Sequence, residues 1–145
     1  MSTGFFKSFA AKAQTKSLTP FVFLGSCCRE DLLLSLSNLE TDHIVLEEPV
    51  SNPWQADLLI VAGPVNFKQI ELLQRAYEEM IEPRFVMGVG ACALTGGGFH
   101  SGIVSKNISE VIPVDVIVPG CPPQEKDLAE AMIRLHDKIL QGLKV

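Results

Sequence analysis

Apolar positions recur along this chain in two rhythms. Short apolar runs closed by Gly or Pro read as buried strands: PFVFLG (Pro20–Gly25), HIVLEEP (His43–Pro49), ADLLIVAGP (Ala56–Pro64), RFVMGVG (Arg84–Gly90) and VIPVDVIVPG (Val111–Gly120). Between them the spacing changes to that of a helix. REDLLLSLSNL (Arg29–Leu39) is the first such segment. KQIELLQRAYEEM (Lys68–Met80) puts Ile70, Leu73, Tyr77 and Met80 on one stripe. The last helix, from about Gln124 to Gln141, spaces Leu128, Met132, Leu135 and Ile139 by 4-3-4. Strands that alternate with helices predict an α/β domain: an open parallel sheet with helices on both faces, of flavodoxin-like order 2-1-3-4-5.

The segment TGFFKSFAAKAQTKS (Thr3–Ser17) stands outside this alternation. On a helix, Phe5, Phe6 and Phe9 would share one face, with lysines at its margin. Residues 1–19 therefore suit a basic amphipathic segment that docks on a partner or a membrane surface, or equally a frayed terminus. Residues 20–145 form the expected domain.

Composition narrows the class. A chain of 145 residues suits one domain with its own core. Mean hydropathy is +0.25, high for a protein that stands free in water. It fits a sheet buried on both faces, or apolar surface covered by partners. No apolar run approaches the roughly 20 residues of a membrane span, and neither a signal-peptide core nor a twin arginine precedes Pro20. The expected compartment is the cytoplasm, where thiols stay reduced. Net charge is −5, and residues 1–19 hold Lys7, Lys12 and Lys16 without an acid, so the body is acidic. Nucleic acid is not the expected partner.

The four cysteines change the picture most. Cys27 and Cys28 follow the first strand, Cys92 the fourth and Cys121 the fifth. All four fall past the carboxyl ends of parallel strands, the edge where open α/β sheets bind ligands. Four converging thiols suit zinc or an iron–sulfur cluster. The paired Cys-x2–4-Cys knuckles usual for structural zinc are absent, which favours a cluster seated against backbone amides. A reactive thiol and four core-filling cysteines are the other readings. Gly88, Gly90, Gly96, Gly97, Gly98, Gly102 and Gly120 crowd the same edge, where backbone must approach something closely. Pro122 and Pro123 would fix the last loop and open the final helix. GVGACA (Gly88–Ala93) matches a dinucleotide fingerprint in letters only: it is not on the first strand, and three glycines follow at once.

Other polar residues divide between function and structure. Glu30 and Asp31 suit a proton relay or the favourable first turn of a helix. His100 suits a group that titrates with the site, or an exposed loop residue. Arg29 would tune a nearby charge or face solvent. Asp115, inside an apolar strand, suits a hydrogen-bonded structural role or a partner contact. Trp54 and Phe67 suit a docking surface or the core.

GSCCREDLL, ADLLIVAGPV, GVGACALTGGG and IPVDVIVPGCPP, in that order, resemble the 20 kDa iron–sulfur subunit of complex I, over residues 20 to about 141. That family is homologous to the small subunit of membrane-bound, energy-converting [NiFe] hydrogenases. The resemblance implies a flavodoxin-like domain holding one [4Fe–4S] cluster on Cys27, Cys28, Cys92 and Cys121. It implies an electron-transfer subunit of a multisubunit oxidoreductase, not catalytic alone, whose cluster serves a quinone or similar acceptor at the boundary with a large 49 kDa-like subunit. A ferredoxin-like iron–sulfur subunit and membrane subunits are the other implied partners. They would hold the chain peripherally on the cytoplasmic face of the membrane. The tandem Cys27-Cys28 follows the complex I pattern, whereas GPV (Gly63–Val65) and GGGF (Gly96–Phe99) resemble the hydrogenase branch. Asp31 stands where the family usually has glutamate. The second expectation is the small subunit of such a hydrogenase or a related complex, with the cluster next to the large-subunit active site, and a stand-alone zinc or redox module is the third.

Overall fold

Every residue of the strand Leu58–Ala62 is fully buried, because helices close over both faces of the sheet around it. The computed structural model describes residues 17–24, 29–39, 44–96 and 107–142. Within these, the strands are β1 (Ser17–Leu18), β2 (Pro20–Leu24), β3 (Val45–Leu46), β4 (Leu58–Ala62), β5 (Phe85–Val89) and β6 (Val116–Val118). The helices are α1 (Arg29–Ser37), α2 (Phe67–Glu79), α3 (Ala91–Thr95) and α4 (Glu125–Gly142).

All strand pairs are parallel, and the main sheet runs β2-β4-β5-β6. β1 pairs with β3, and the Val50 N–H donates to the Pro20 carbonyl (2.9 Å), which carries the β3 track along the outer edge of β2. Taking β1 and β2 as one interrupted strand gives the predicted 2-1-3-4-5 order. The interruption has a cause. At Thr19 the backbone N–H donates to the Asp57 carboxylate (2.8 Å) instead of a strand carbonyl, and the Thr19 carbonyl accepts from both Asp57 and Leu58.

Alternation along β4 divides the core. Leu58, Ile60 and Ala62 join Leu32 and Leu36 of α1 and Leu128, Met132, Leu135 and Ile139 of α4. Leu59 and Val61 join Leu73 and Met80 on the α2 side, with Ile70 and Tyr77 packed against them. Both predicted helical stripes therefore face the core. A capping box starts α2: Asn66 Oδ1 accepts from the Gln69 N–H (2.9 Å), and Gln69 Oε1 accepts from the Asn66 N–H (3.1 Å). Its last turn is closed by Arg84, whose guanidinium donates to the carbonyls of Tyr77 and Glu78 and lies over the Tyr77 ring.

Three expectations shift. The segment 111–120 is strand only at Val116–Val118, because the N–H groups of Val111 and Ile112 bond back to the Ile108 carbonyl of the preceding helical turn and Pro113 has none to give. β3 covers only Val45–Leu46 of the expected 43–49 strand, and His43 lies outside the described residues. α4 opens at Glu125, two residues after Pro123, with the Gln124 N–H donating to the Asp127 carboxylate.

Candidate metal centre

Parallel pairing sends the ends of β4, β5 and β6 to the same edge, and β2 ends there at Leu24 beside Ala62. Cys92 is the second residue of α3, which follows β5 after Gly90 alone. Cys121 lies three residues past the end of β6. Two backbone hydrogen bonds join these exits: Gly90 N–H to the Val118 carbonyl (2.8 Å) and Ala91 N–H to the Gly120 carbonyl (3.0 Å). Cys92 and Cys121 thus each follow directly on one member of the bonded Ala91–Gly120 pair, which holds their two loops together. Cys92 is buried, and Cys121 is exposed and followed by a cis peptide to Pro122. Neither is in a disulfide.

Cys27 and Cys28 lie outside the described residues, as do Gly97, Gly98, Gly102, His100 and most of the 1–19 segment. Their flanks are described: β2 ends at Leu24 on the thiol edge, and α1 starts at Arg29. Among the described residues no group of three His, Cys, Asp or Glu side chains converges as a metal site. The described donors are two soft thiols on a hydrogen-bonded backbone frame, beside fully or nearly fully buried Val118 and Ala93. That donor set fits a thiophilic metal centre and gives it a low-dielectric wall.

The remaining candidates separate by place. Glu30 and Asp31 are exposed in the first turn of α1, where their charge suits the helix dipole. Asp115 is structural. Its Oδ2 accepts from the Val86 N–H (2.8 Å), its own N–H donates to the Val86 carbonyl (2.9 Å), and its Oδ1 lies 3.0 Å from Lys138 Nζ. It stands where β6 begins, at the opposite end of the sheet from the thiols. Trp54 and Phe67 are 55% and 56% exposed, so both are surface residues. Gly88 does not serve the thiol edge: a Cβ there would lie 2.9 Å from Ile108 Cδ1, so glycine makes room for the core. GVGACA does open a helix, but one of five residues that ends at Gly96.

Two features were missed in sequence. The clasp, in which Gly90 bonds Val118 and Ala91 bonds Gly120, is one; its sequence offered only the general crowding of glycines at that edge. The other is a polar cluster at the far end of the sheet. Asp57 is buried there, and loss of hydration pushes its carboxyl up to about 6, against the Thr19 N–H bond that favours the charge. Glu47 beside it accepts from the Ser17 and Thr19 hydroxyls, which hold its pKa below the usual value.

Fold and edge together define an open, flavodoxin-like α/β domain with paired thiols where such sheets take their ligands. The chain belongs to the family described as the NADH ubiquinone oxidoreductase, 20 Kd subunit, whose model matches residues 22–135. It is 37% identical over 133 residues to an NADH-quinone oxidoreductase subunit of Leptospira biflexa, covering 90% of this chain and 72% of that one. It is 38% identical over 141 residues to the like-named subunit of an Anaeromyxobacter species, covering 94% and 78%. A solved chain of the membrane-bound sulfane sulfur reductase, an archaeal respiratory membrane complex, superposes with a TM-score of 0.73 at 26% identity, covering 93% of this chain and 77% of that one. The chain is a subunit of a multisubunit, complex I-like oxidoreductase. Among the described residues no helix is long and apolar enough to cross a membrane.

Proposed function

We propose that this chain is the electron-transfer subunit that carries one [4Fe–4S] cluster on Cys27, Cys28, Cys92 and Cys121. When bound, such a cluster supplies one-electron transfer. The observation that carries the reading is the clasped pair of Cys92 and Cys121 on the edge that β2, the strand before Cys27 and Cys28, also reaches. The chain's own part is to hold four thiolates, keep Cys92 buried and present Cys121 outward. Burial and backbone donors near the sulfurs set the potential. The acceptor pocket belongs to a large partner subunit at the exposed side of this edge, with a ferredoxin-like subunit as donor and membrane subunits as anchor. Residues 1–19 dock against a partner or the membrane surface. The chain is then peripheral on the cytoplasmic face.

The favoured acceptor is a quinone, in line with the relatives named NADH-quinone oxidoreductase. A second reading is supported by the likeness to a sulfane sulfur reductase. The same subunit would then serve a different acceptor, as in the hydrogenase branch of this fold. Iron, acid-labile sulfide and zinc in the purified complex test the centre. Cysteine-to-serine changes at the four positions should each remove one cluster's iron. Stoichiometric zinc with no such loss would overturn the cluster. Turnover of the same complex with a quinone, polysulfide or protons then separates the acceptors.

A further inference from the structure

Gly90 and Gly120 hold backbone conformations that side chains disfavour, with φ +86° and +125°. At Gly90 ψ is 162°, a region essentially reserved for glycine. Gly120 also leaves no room, whereas at Gly90 an added methyl would make only an ordinary contact. A Cβ on Gly90 would lie 3.4 Å from the Gly120 carbonyl oxygen. A Cβ on Gly120 would lie 2.8 Å from Pro123 Cα and 3.1 Å from the Pro122 carbonyl oxygen, all backbone or ring atoms that cannot swing aside. The same two residues supply half of the cross-loop clasp, as the Gly90 N–H donor and the Gly120 carbonyl acceptor.

We infer that Gly90 and Gly120 are positioning residues for the thiol pair: the clasp they make sets Cys92 and Cys121 side by side through backbone contacts alone. This rests on the reading that both thiols are ligands. Two ligands come from loops bonded to each other, so half of the site is fixed by the fold. Alanine at either glycine must give up its positive φ, rotate a peptide that carries a clasp hydrogen bond, and displace the cysteine that follows in the chain. Gly88 is the internal control. It lies on β5, two residues before Gly90, but an added methyl there meets the tip of a flexible isoleucine.

The test uses the intact purified complex bearing Gly90→Ala, Gly120→Ala or Gly88→Ala in this chain. Three quantities are read: the low-temperature EPR g-values of the reduced centre, its midpoint potential, and the rate at which a chelator strips iron. Gly90→Ala and Gly120→Ala should shift the g-values and raise the stripping rate about tenfold or more, the usual scale for residues that orient ligands. Gly88→Ala should keep the wild-type spectrum and stripping rate while lowering the melting temperature. Wild-type g-values and iron retention in assembled Gly90→Ala and Gly120→Ala complexes would overturn the inference. If Gly120→Ala does not assemble, Gly90→Ala decides alone, since its added contact is the milder. A wild-type complex with no cluster signal would overturn the ligand reading and this inference with it. A wild-type signal that both alanines leave unchanged would overturn this inference only.

Discussion

Replacing Asp57 by asparagine removes a charge from a place where it is held at a cost. The residue is 7% exposed, and burial lifts its carboxyl from 3.8 to about 6. The nearby Glu47 adds to that lift, and the Thr19 N–H opposes it. A carboxyl whose pKa is higher in the folded chain binds more protons folded than unfolded between those two values. Its stabilising contribution is therefore complete below about 3.8 and is lost as pH rises through about 6. Some two pKa units correspond to about 3 kcal/mol, and solvent at the rim of the sheet reduces this to roughly half. The asparagine keeps an oxygen for the Thr19 N–H and never ionises. Denaturant unfolding of both chains, followed by far-UV circular dichroism from pH 4 to 8, reads the difference. The stability of Asp57→Asn relative to wild type should rise by about 1.5–3 kcal/mol across that range and level off above pH 7. Glu47 is depressed and acts in the opposite sense at the acid end; it is present in both chains, so the difference between them carries only its coupling to Asp57. A difference that stays constant with pH, or falls, would refute the assignment of Asp57 as a strained buried acid.

Three further outcomes follow from packing and hydrogen bonding. Leu73 is fully buried beneath α2, so Leu73→Ala should cost about 2–5 kcal/mol in denaturant unfolding. Asn66→Ala removes one arm of the capping box and should cost about 1 kcal/mol, with faster amide exchange in the first turn of α2. Asp115→Ala leaves the Val86 N–H without its carboxylate and should lower stability by about 1–3 kcal/mol. In the assembled complex it should leave the reduced-centre spectrum unchanged, because Asp115 lies at the other end of the sheet; a changed spectrum would return Asp115 to the functional residues.

The order of the sheet was legible because β4 and β5 are apolar throughout, and only a sheet covered on both faces accepts such strands. The stripes of α2 and α4 were legible for the complementary reason, since each buries one face and wets the other. The break at Thr19 was not. It depends on the Asp57 carboxylate, 38 positions away in sequence, taking a backbone N–H. The first half of the 111–120 segment misled because IPV is apolar, and apolarity there serves packing of Ile112 and Val114 against the α2 side rather than pairing. At the thiol edge, the placement of Cys92 and Cys121 could be read from strand ends alone. The clasp could not, because it consists of backbone groups that carry no side-chain signature. The glycines offered only a general sign of close approach. Gly88 shows how that sign divides: it answers to the core, and Gly90 to the neighbouring loop.

The proposed electron-transfer role requires an iron–sulfur centre on four thiols at this edge. Low-temperature EPR of the dithionite-reduced intact complex, repeated with Cys92→Ala, tests it most directly. One [4Fe–4S] signal should be present in the wild type and missing in the variant, with the other centres of the complex unchanged. A wild-type spectrum without that signal, or one that Cys92→Ala leaves intact, would contradict it.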